Sequence, residues 1–285
     1  MAKTWFLTVS GCNTEDVKIV ERTLARQALS INLREINDSL EWEILLQYTK
    51  KPKLPYIATV LVSNLRHRKF KLSLKQDKVK DWVKRYRRDR VPLKTGQFFV
   101  YPSHFSENLP EGLFPICMDA GLAFGTGDHP TTSGCLRALE GFAADGYVPS
   151  NAVDIGCGTG ILSIAMRKLW PNAIVTAVDI DPIAISVCRN NLKHNGISSG
   201  VKTLVLDGWP TGIKFDLCVA NILSDPLIFL ASDASLAVKK GGRVVLSGIM
   251  ASQAKNVFCA WEKSGFTLLD RRDDGEWTIL IFCRK

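Results

Sequence analysis

Val153-Asp154-Ile155-Gly156-Cys157-Gly158-Thr159-Gly160-Ile161-Leu162 is an apolar run that breaks into glycines at alternate positions and then resumes as an apolar helical pattern. Glycine admits positive φ and lets a backbone approach a ligand, and a new helix N-terminus offers unbonded N–H groups. The stretch reads as strand, turn and helix arranged around a bound group. A dinucleotide would suit such a turn, but the spacing is G-x-G-x-G and not G-x-G-x-x-G, since position 161 is Ile. Asp154 is expected to orient the turn and not to touch the ligand.

Outward from this motif, strand-like runs alternate with helix-like runs. Ala152–Ile155 leads to Ile161–Leu169, Ile174–Ile180 to Ile183–Asn195, and Val201–Asp207 follows. Phe215–Ile222 then leads to Asp225–Val238, and Arg243–Ile249 to Gln253–Lys263. Such alternation predicts an α/β fold with a parallel sheet. The end differs: Phe266–Arg271 and Trp277–Cys283 are joined by Asp273-Asp274-Gly275, which predicts an antiparallel hairpin. A parallel sheet closed by a hairpin suits a methyltransferase better than half of a dehydrogenase.

Three further positions carry candidate chemistry. Asp179, in Ala177-Val178-Asp179-Ile180-Asp181, should end the second strand. A carboxylate there accepts hydrogen bonds from ribose hydroxyls, of NAD or of S-adenosylmethionine alike, although it could also merely cap the next helix. Asn221, in Val219-Ala220-Asn221-Ile222-Leu223, should end the fourth strand at the crevice. Its amide offers an uncharged acceptor and donor, which suits an amine that must be neutral to attack a methyl group. Its plainer role would be a helix N-cap. Asp207, ending the third strand, could reach an adenine amino group or simply sit in a turn. Upstream, the run from Asp119 to Thr132 holds three glycines, and Thr132 could cap a helix over Ser133–Phe142. It lacks a P-loop lysine, and His129, abutting Pro130, reads as a turn residue more than a general base.

The 285 residues are 46% hydrophobic and 23% charged, which excludes a disordered tail or a fibre. No apolar run reaches the roughly 18 residues of a membrane span. Met1-Ala2-Lys3-Thr4-Trp5 leads into no long apolar segment, which predicts a non-exported, cytoplasmic protein. The eight cysteines form no C-x-x-C pair and the four histidines show no ligand spacing, so no metal site is expected. Residues 1–100 carry 21 Lys and Arg against 10 Asp and Glu, and 66–94 alone carry 13 against 3. That surplus suggests an acidic partner such as nucleic acid, or only a solvated helix face and linker. Residues 1–65 read as a small α+β domain: Trp5–Val9 a strand, a helix capped by Thr14, alternation over Leu40–Ile44, and a β-branched strand-like run over Ile57–Val62. Residues 66–95 read as a basic linker with a helix near Asp81–Tyr86, and 96–285 as the cofactor-binding domain.

Gly121-Leu122-Ala123-Phe124-Gly125-Thr126-Gly127, with His129-Pro130-Thr131-Thr132, closely resembles the signature of the bacterial ribosomal protein L-eleven methyltransferases. So do Asp154–Gly160, Asp179-Ile180-Asp181-Pro182, Ala220-Asn221-Ile222-Leu223, Ser247-Gly248-Ile249 and Gly275-Glu276-Trp277. The resemblance covers residues 80–285 strongly and 1–65 by size and type. It departs at Ala120, where proline is usual, and at Asp128, where threonine is common. It implies a class I methyltransferase Rossmann-like domain and an N-terminal domain of ferredoxin-like fold that holds the substrate. It implies S-adenosylmethionine as cofactor, contacted by Thr132, Gly156, Asp179 and Asn221, with Asn221 also at the acceptor amine. The implied substrate is a ribosomal protein, modified on α-amino and lysine amino groups, and the charge of the basic segment fits proximity to ribosomal RNA. Other readings are a methyltransferase of the same fold for another amine or a nucleic-acid base, an RNA-binding protein with a vestigial cofactor fold, and a NAD-dependent dehydrogenase. Base and glutamine methyltransferases of this fold often place an aromatic ring after the strand-four Asn or Asp, and here Ile222-Leu223 follows Asn221.

Overall fold

A computed structural model of the chain describes residues 3–24, 28, 30–36, 41–65, 70–78, 92–118 and 129–285. The expected helix at Asp81–Tyr86 and the glycine-rich run Gly121–Gly127 lie outside the described residues. The chain divides into two compact units, Met1–Tyr86 and Arg87–Lys285.

The first unit runs β1 (Lys3–Cys12), α1 (Thr14–Leu24), β2 (Ser30–Ile36), β3 (Glu41–Tyr48), α2 (Leu54–Asn64) and β4 (Lys71–Lys78). The strands form one antiparallel sheet in the order β2-β3-β1-β4. Period-two apolar residues (Leu7 and Val9, paired with Leu46 and Ile44) pack against helical stripes at Val17, Val20 and Leu24 and at Ile57 and Leu61.

Three expectations for this unit are corrected. Ile57–Val62 is helical: Pro55 opens α2, Ile57 and Leu61 are buried one turn apart, and burial of that stripe outweighs the β-branched preference. The α1 cap is Asn13 and not Thr14. Asp16 N donates to Asn13 Oδ1 at 2.9 Å and Asn13 N donates to Asp16 Oδ2 at 3.0 Å, a reciprocal box. Lys71–Lys78, expected within a linker, is a strand paired with β1 from Lys3↔Lys78 to Ser10↔Lys71. Its Leu72 and Leu74 lean on the core, while its lysines occupy a sheet edge, where charge discourages further pairing.

The second unit opens with a small sheet, β5 (Leu93–Thr95), β6 (Phe98–Tyr101) and β7 (Phe114–Cys117). These strands, of three and four residues, are too short to mark themselves by a period-two pattern in the sequence. Next come α3 (Pro130–Ala144), β8 (Asn151–Ile155), α4 (Ile161–Leu169), β9 (Ile174–Asp179), α5 (Pro182–His194), β10 (Val201–Val205) and β11 (Phe215–Asn221). The chain ends with α6 (Ser224–Ala237), β12 (Val238–Met250), α7 (Ala254–Lys263), β13 (Phe266–Asp274) and β14 (Trp277–Arg284). Seven strands form one sheet in the order β10-β9-β8-β11-β12-β14-β13. The pairs from β10 to β12 are parallel, and β14 runs antiparallel to both of its neighbours. The α/β expectation with an antiparallel C-terminal hairpin is met.

Helices cover both faces. Ala152 joins one apolar cluster with Leu136, Ile161 and Ile185 from α3, α4 and α5. Val153 and Ile155 join the opposite cluster with Leu227 and Leu230 of α6 and Val257 and Trp261 of α7. Among the described residues no helix is long and apolar enough to cross a membrane.

Trp261 anchors the second cluster. It is fully buried, meets the rings of Trp209, Phe266 and Phe282, and donates its indole N–H to Leu227 O at 3.0 Å. Trp261→Ala should cost about 3–5 kcal/mol of stability. Denaturant unfolding followed by far-ultraviolet circular dichroism would measure it, and a loss below 1 kcal/mol, a surface-like value, would remove Trp261 as the anchor.

Candidate functional site

Strand register sets the site. Ile155 pairs with Val178 on one side and Ala220 on the other, so Gly156, Asp179 and Asn221 follow at one level of the carboxyl edge. Ser247 pairs with Asn221 and extends the row. Neighbouring strands lie about 4.8 Å apart, which sets Asp179 and Asn221 roughly 10 Å from each other with Gly156 between them.

The turn is fastened to β9. Gly156 N and Cys157 N both donate to Val178 O, at 2.8 and 2.9 Å. Gly156 has φ +71°, and a Cβ there would stand 2.1 Å from Ile222 Cγ2, so conformation and space both require glycine. Asp179 then closes the turn: its Oδ2 accepts from Gly158 N at 2.8 Å and its Oδ1 from Asp181 N at 2.9 Å. Asp179 is not the cap of α5. That role belongs to Asp181, whose Oδ1 accepts from Ile183 N at 2.8 Å. Each Asp179 oxygen has accepted one bond, and a carboxylate oxygen can accept another.

Asn221 is not a helix cap either, since the N-cap of α6 is Leu223. Its Nδ2 donates to Thr132 Oγ1 at 3.3 Å. Its Oδ1 is buried without a hydrogen-bond partner among the described residues. Thr132 is fully buried and lies inside the first turn of α3, so it does not cap that helix. The cap is His129, whose Nδ1 accepts from Thr131 N at 3.4 Å and whose ring meets Trp277 edge-on at 4.9 Å. Ser247 Oγ donates to Thr131 O at 3.2 Å and ties α3 to β12. Thr132, Asn221, Gly156 and Asp179 are thus brought together along one edge. Asp207 lies beyond the end of β10, solvent-exposed.

Sequence reasoning missed two asparagines of α5 and its cap. Asn191 donates to Thr159 O at 2.9 Å, inside the glycine turn, and to Met118 Sδ at 3.1 Å. Asn195 grips the end of β7, accepting from Cys117 N at 2.9 Å and donating to Cys117 O at 2.7 Å. Asparagine is a poor interior helix residue, so its recurrence four positions apart was the available signal.

Asp154 sits beneath the turn, nearly fully buried. Its Oδ2 accepts from Ser163 N at 2.9 Å and from Ser163 Oγ at 2.6 Å, tying β8 to α4, while Oδ1 has no partner among the described residues. Burial pushes its carboxyl from the ordinary 3.8 up to about 7, against the pull of the Ser163 bonds.

The arrangement sets side by side a glycine turn, a carboxylate with acceptor capacity to spare, and a neutral amide whose oxygen has no partner among the described residues. A family model described as ribosomal protein L11 methyltransferase (PrmA) matches residues 3–285. A protein of Brucella suis named ribosomal protein L11 methyltransferase is 41% identical over 192 residues, covering 66% of this chain and 67% of its own length. One of the same name from Rhizobium leguminosarum bv. trifolii is 42% identical over 186 residues, 64% of this chain and 63% of its own length. A crystal structure of a ribosomal protein L11 methylase from Lactobacillus delbrueckii subsp. bulgaricus aligns with TM-score 0.62 and 28% identity, covering 68% of this chain and 98% of that one.

Between pH 3.8 and about 7 the folded protein holds a proton at Asp154 that the unfolded chain has released. The contribution of this residue to stability therefore falls as pH rises through that window. Asp154→Asn removes the titration, so the variant's melting temperature relative to wild type should climb across the window and level off above it. Parallel melting curves over the whole range would refute the perturbed carboxyl.

Proposed function

The chain belongs to the ribosomal protein L11 methyltransferase family, and on that footing we propose that it transfers methyl groups from S-adenosylmethionine to α-amino and lysine amino groups of that ribosomal protein, with the row Asp179–Gly156–Asn221 as its site. The single level that the parallel register gives these three residues supports the reading most directly. The residues suit the cofactor. Asp179 retains acceptor capacity for ribose hydroxyls, and the alternate glycines of the turn leave backbone N–H groups with few side chains between them and a bound nucleoside. Ile180, 66% exposed beside Asp179, offers an apolar side chain to a flat base.

S-adenosylmethionine supplies a methyl group on a sulfonium sulfur, which passes to the nitrogen lone pair as the carbon–sulfur bond breaks. The protein's part is positioning. Thr132 holds the Asn221 NH₂ and so fixes the amide, leaving Oδ1, without a partner among the described residues, as the acceptor for an amine N–H. The Thr132 hydroxyl accepts that bond and can still donate to the cofactor. An amide cannot serve as a general base, so Asn221 orients a neutral amine and the proton leaves to water. A cationic neighbourhood lowers the amine pKa by like-charge repulsion, and in-line placement accounts for much of the acceleration.

We assign residues 1–65 to substrate recognition and the reaction to the cytoplasm. The basic surplus over 66–94 supports an approach to ribosomal RNA, whose mark would be steep salt dependence on ribosome-bound substrate.

Incubation with labelled S-adenosylmethionine and unmodified ribosomal proteins, followed by intact-mass analysis, tests the reaction. Asp179→Ala should weaken cofactor binding by about 1–3 kcal/mol, read by calorimetry, and unchanged affinity would remove it from the ribose. Asn221→Ala should depress turnover while the cofactor still binds, and wild-type kinetics would take Asn221 out of the site.

A further inference from the structure

Leu223 is an uncommon N-cap placed beside the candidate site. It is the N-cap of α6 with no side-chain cap hydrogen bond, where Ser, Thr, Asp or Asn is favoured. It is also a large apolar side chain left 71% exposed. Its neighbours explain why it projects. Ile222 is clamped, with Cγ2 over Gly156 and its carbonyl oxygen against Gly248, where a Cβ would stand 2.4 Å away. The chain therefore leaves β11 in a fixed direction and delivers Leu223 to the surface, two residues beyond Asn221 and on the far side of Gly156 from Asp179.

Resting on the reading under Proposed function, we propose that Leu223 determines acceptor specificity by supporting the methylene stem of a lysine whose amine is held at Asn221. A lysine presents four methylenes behind its nitrogen, and such stems lie along apolar surface while the head group reaches a polar partner. An α-amine has no stem, because its nitrogen is bonded directly to the backbone Cα. Leu223 therefore favours lysine over α-amine acceptors, and a polar residue there would improve the helix cap while weakening lysine capture.

Leu223→Ser and Leu223→Met test this in the full-length enzyme, with site-resolved mass spectrometry of the ribosomal protein substrate. In Leu223→Ser, KM for lysine sites should rise about tenfold, the scale for losing a few methylene contacts, with kcat at those sites, cofactor affinity and α-amine methylation unchanged. Its melting temperature should hold or rise, since serine is the better cap. Leu223→Met should restore lysine KM. An unchanged lysine KM in Leu223→Ser, or equal losses at lysine and α-amine sites, overturns the proposal. A loss of cofactor affinity or of melting temperature overturns it too, by making Leu223 a structural or cofactor residue. A wild-type enzyme that binds no S-adenosylmethionine would instead sink the functional reading on which this stands.

Discussion

Two backbone amides, those of Gly156 and Cys157, converge on one carbonyl, that of Val178. This fork carries the β8–β9 ladder past the end of the strand and into the turn, which then cannot drift away from Asp179. With β11 in register on the other flank, the sheet delivers three chemically different groups to one level without help from any loop. A slip of one residue in either ladder would send each side chain to the opposite face, so the site is as well specified as the core beneath it. The core in turn is dense, with Ala152, Val153 and Ile155 gripped from both faces by helices.

Much of this was legible because local and global preferences agree. The boundaries of α4, the glycine turn, Asp179, Asn221 and the final hairpin all follow from apolar periodicity and turn chemistry. Most of the failures share a cause, which is that a distant partner decided the outcome. Ile57–Val62 has strand-like residues but lies on a helix because its Ile57 and Leu61 stripe finds a sheet to cover. Lys71–Lys78 looks like a charged linker until β1 offers it a free edge. Thr132 has the place of a cap before an apolar run, whereas its hydroxyl serves Asn221, 89 residues away. The short strands over 93–117 carry too few residues for a period to emerge. Asn191 and Asn195 reach Thr159, Met118 and Cys117 through tertiary contacts, of which the sequence shows only asparagine recurring along a helix.

The two edges of the large sheet use polar groups differently, and the contrast bears on function. At the amino edge they hold the fold: Asp216 accepts from Ser150 N, Asn151 N and Lys239 Nζ, and Trp170 donates its indole N–H to Tyr147 O. Arg243 there lies against the rings of Phe142 and Tyr147, its guanidinium carbon 4.6 and 4.3 Å from their centroids. At the carboxyl edge, Asn221 Oδ1 is buried without a partner among the described residues, α4 is capped by a glycine in the left-handed region, and α6 is capped by an exposed leucine. A buried acceptor without a donor costs about 1–3 kcal/mol, and a leucine cap about 1 kcal/mol. Packing explains the glycine, since a Cβ at Gly160 would press on Cys188 Sγ, but among the described residues nothing satisfies the Asn221 acceptor or covers the Leu223 side chain. Local inconsistencies gathered along one row, in a unit whose sequence and fold otherwise agree, locate the place where the protein is shaped for something other than itself.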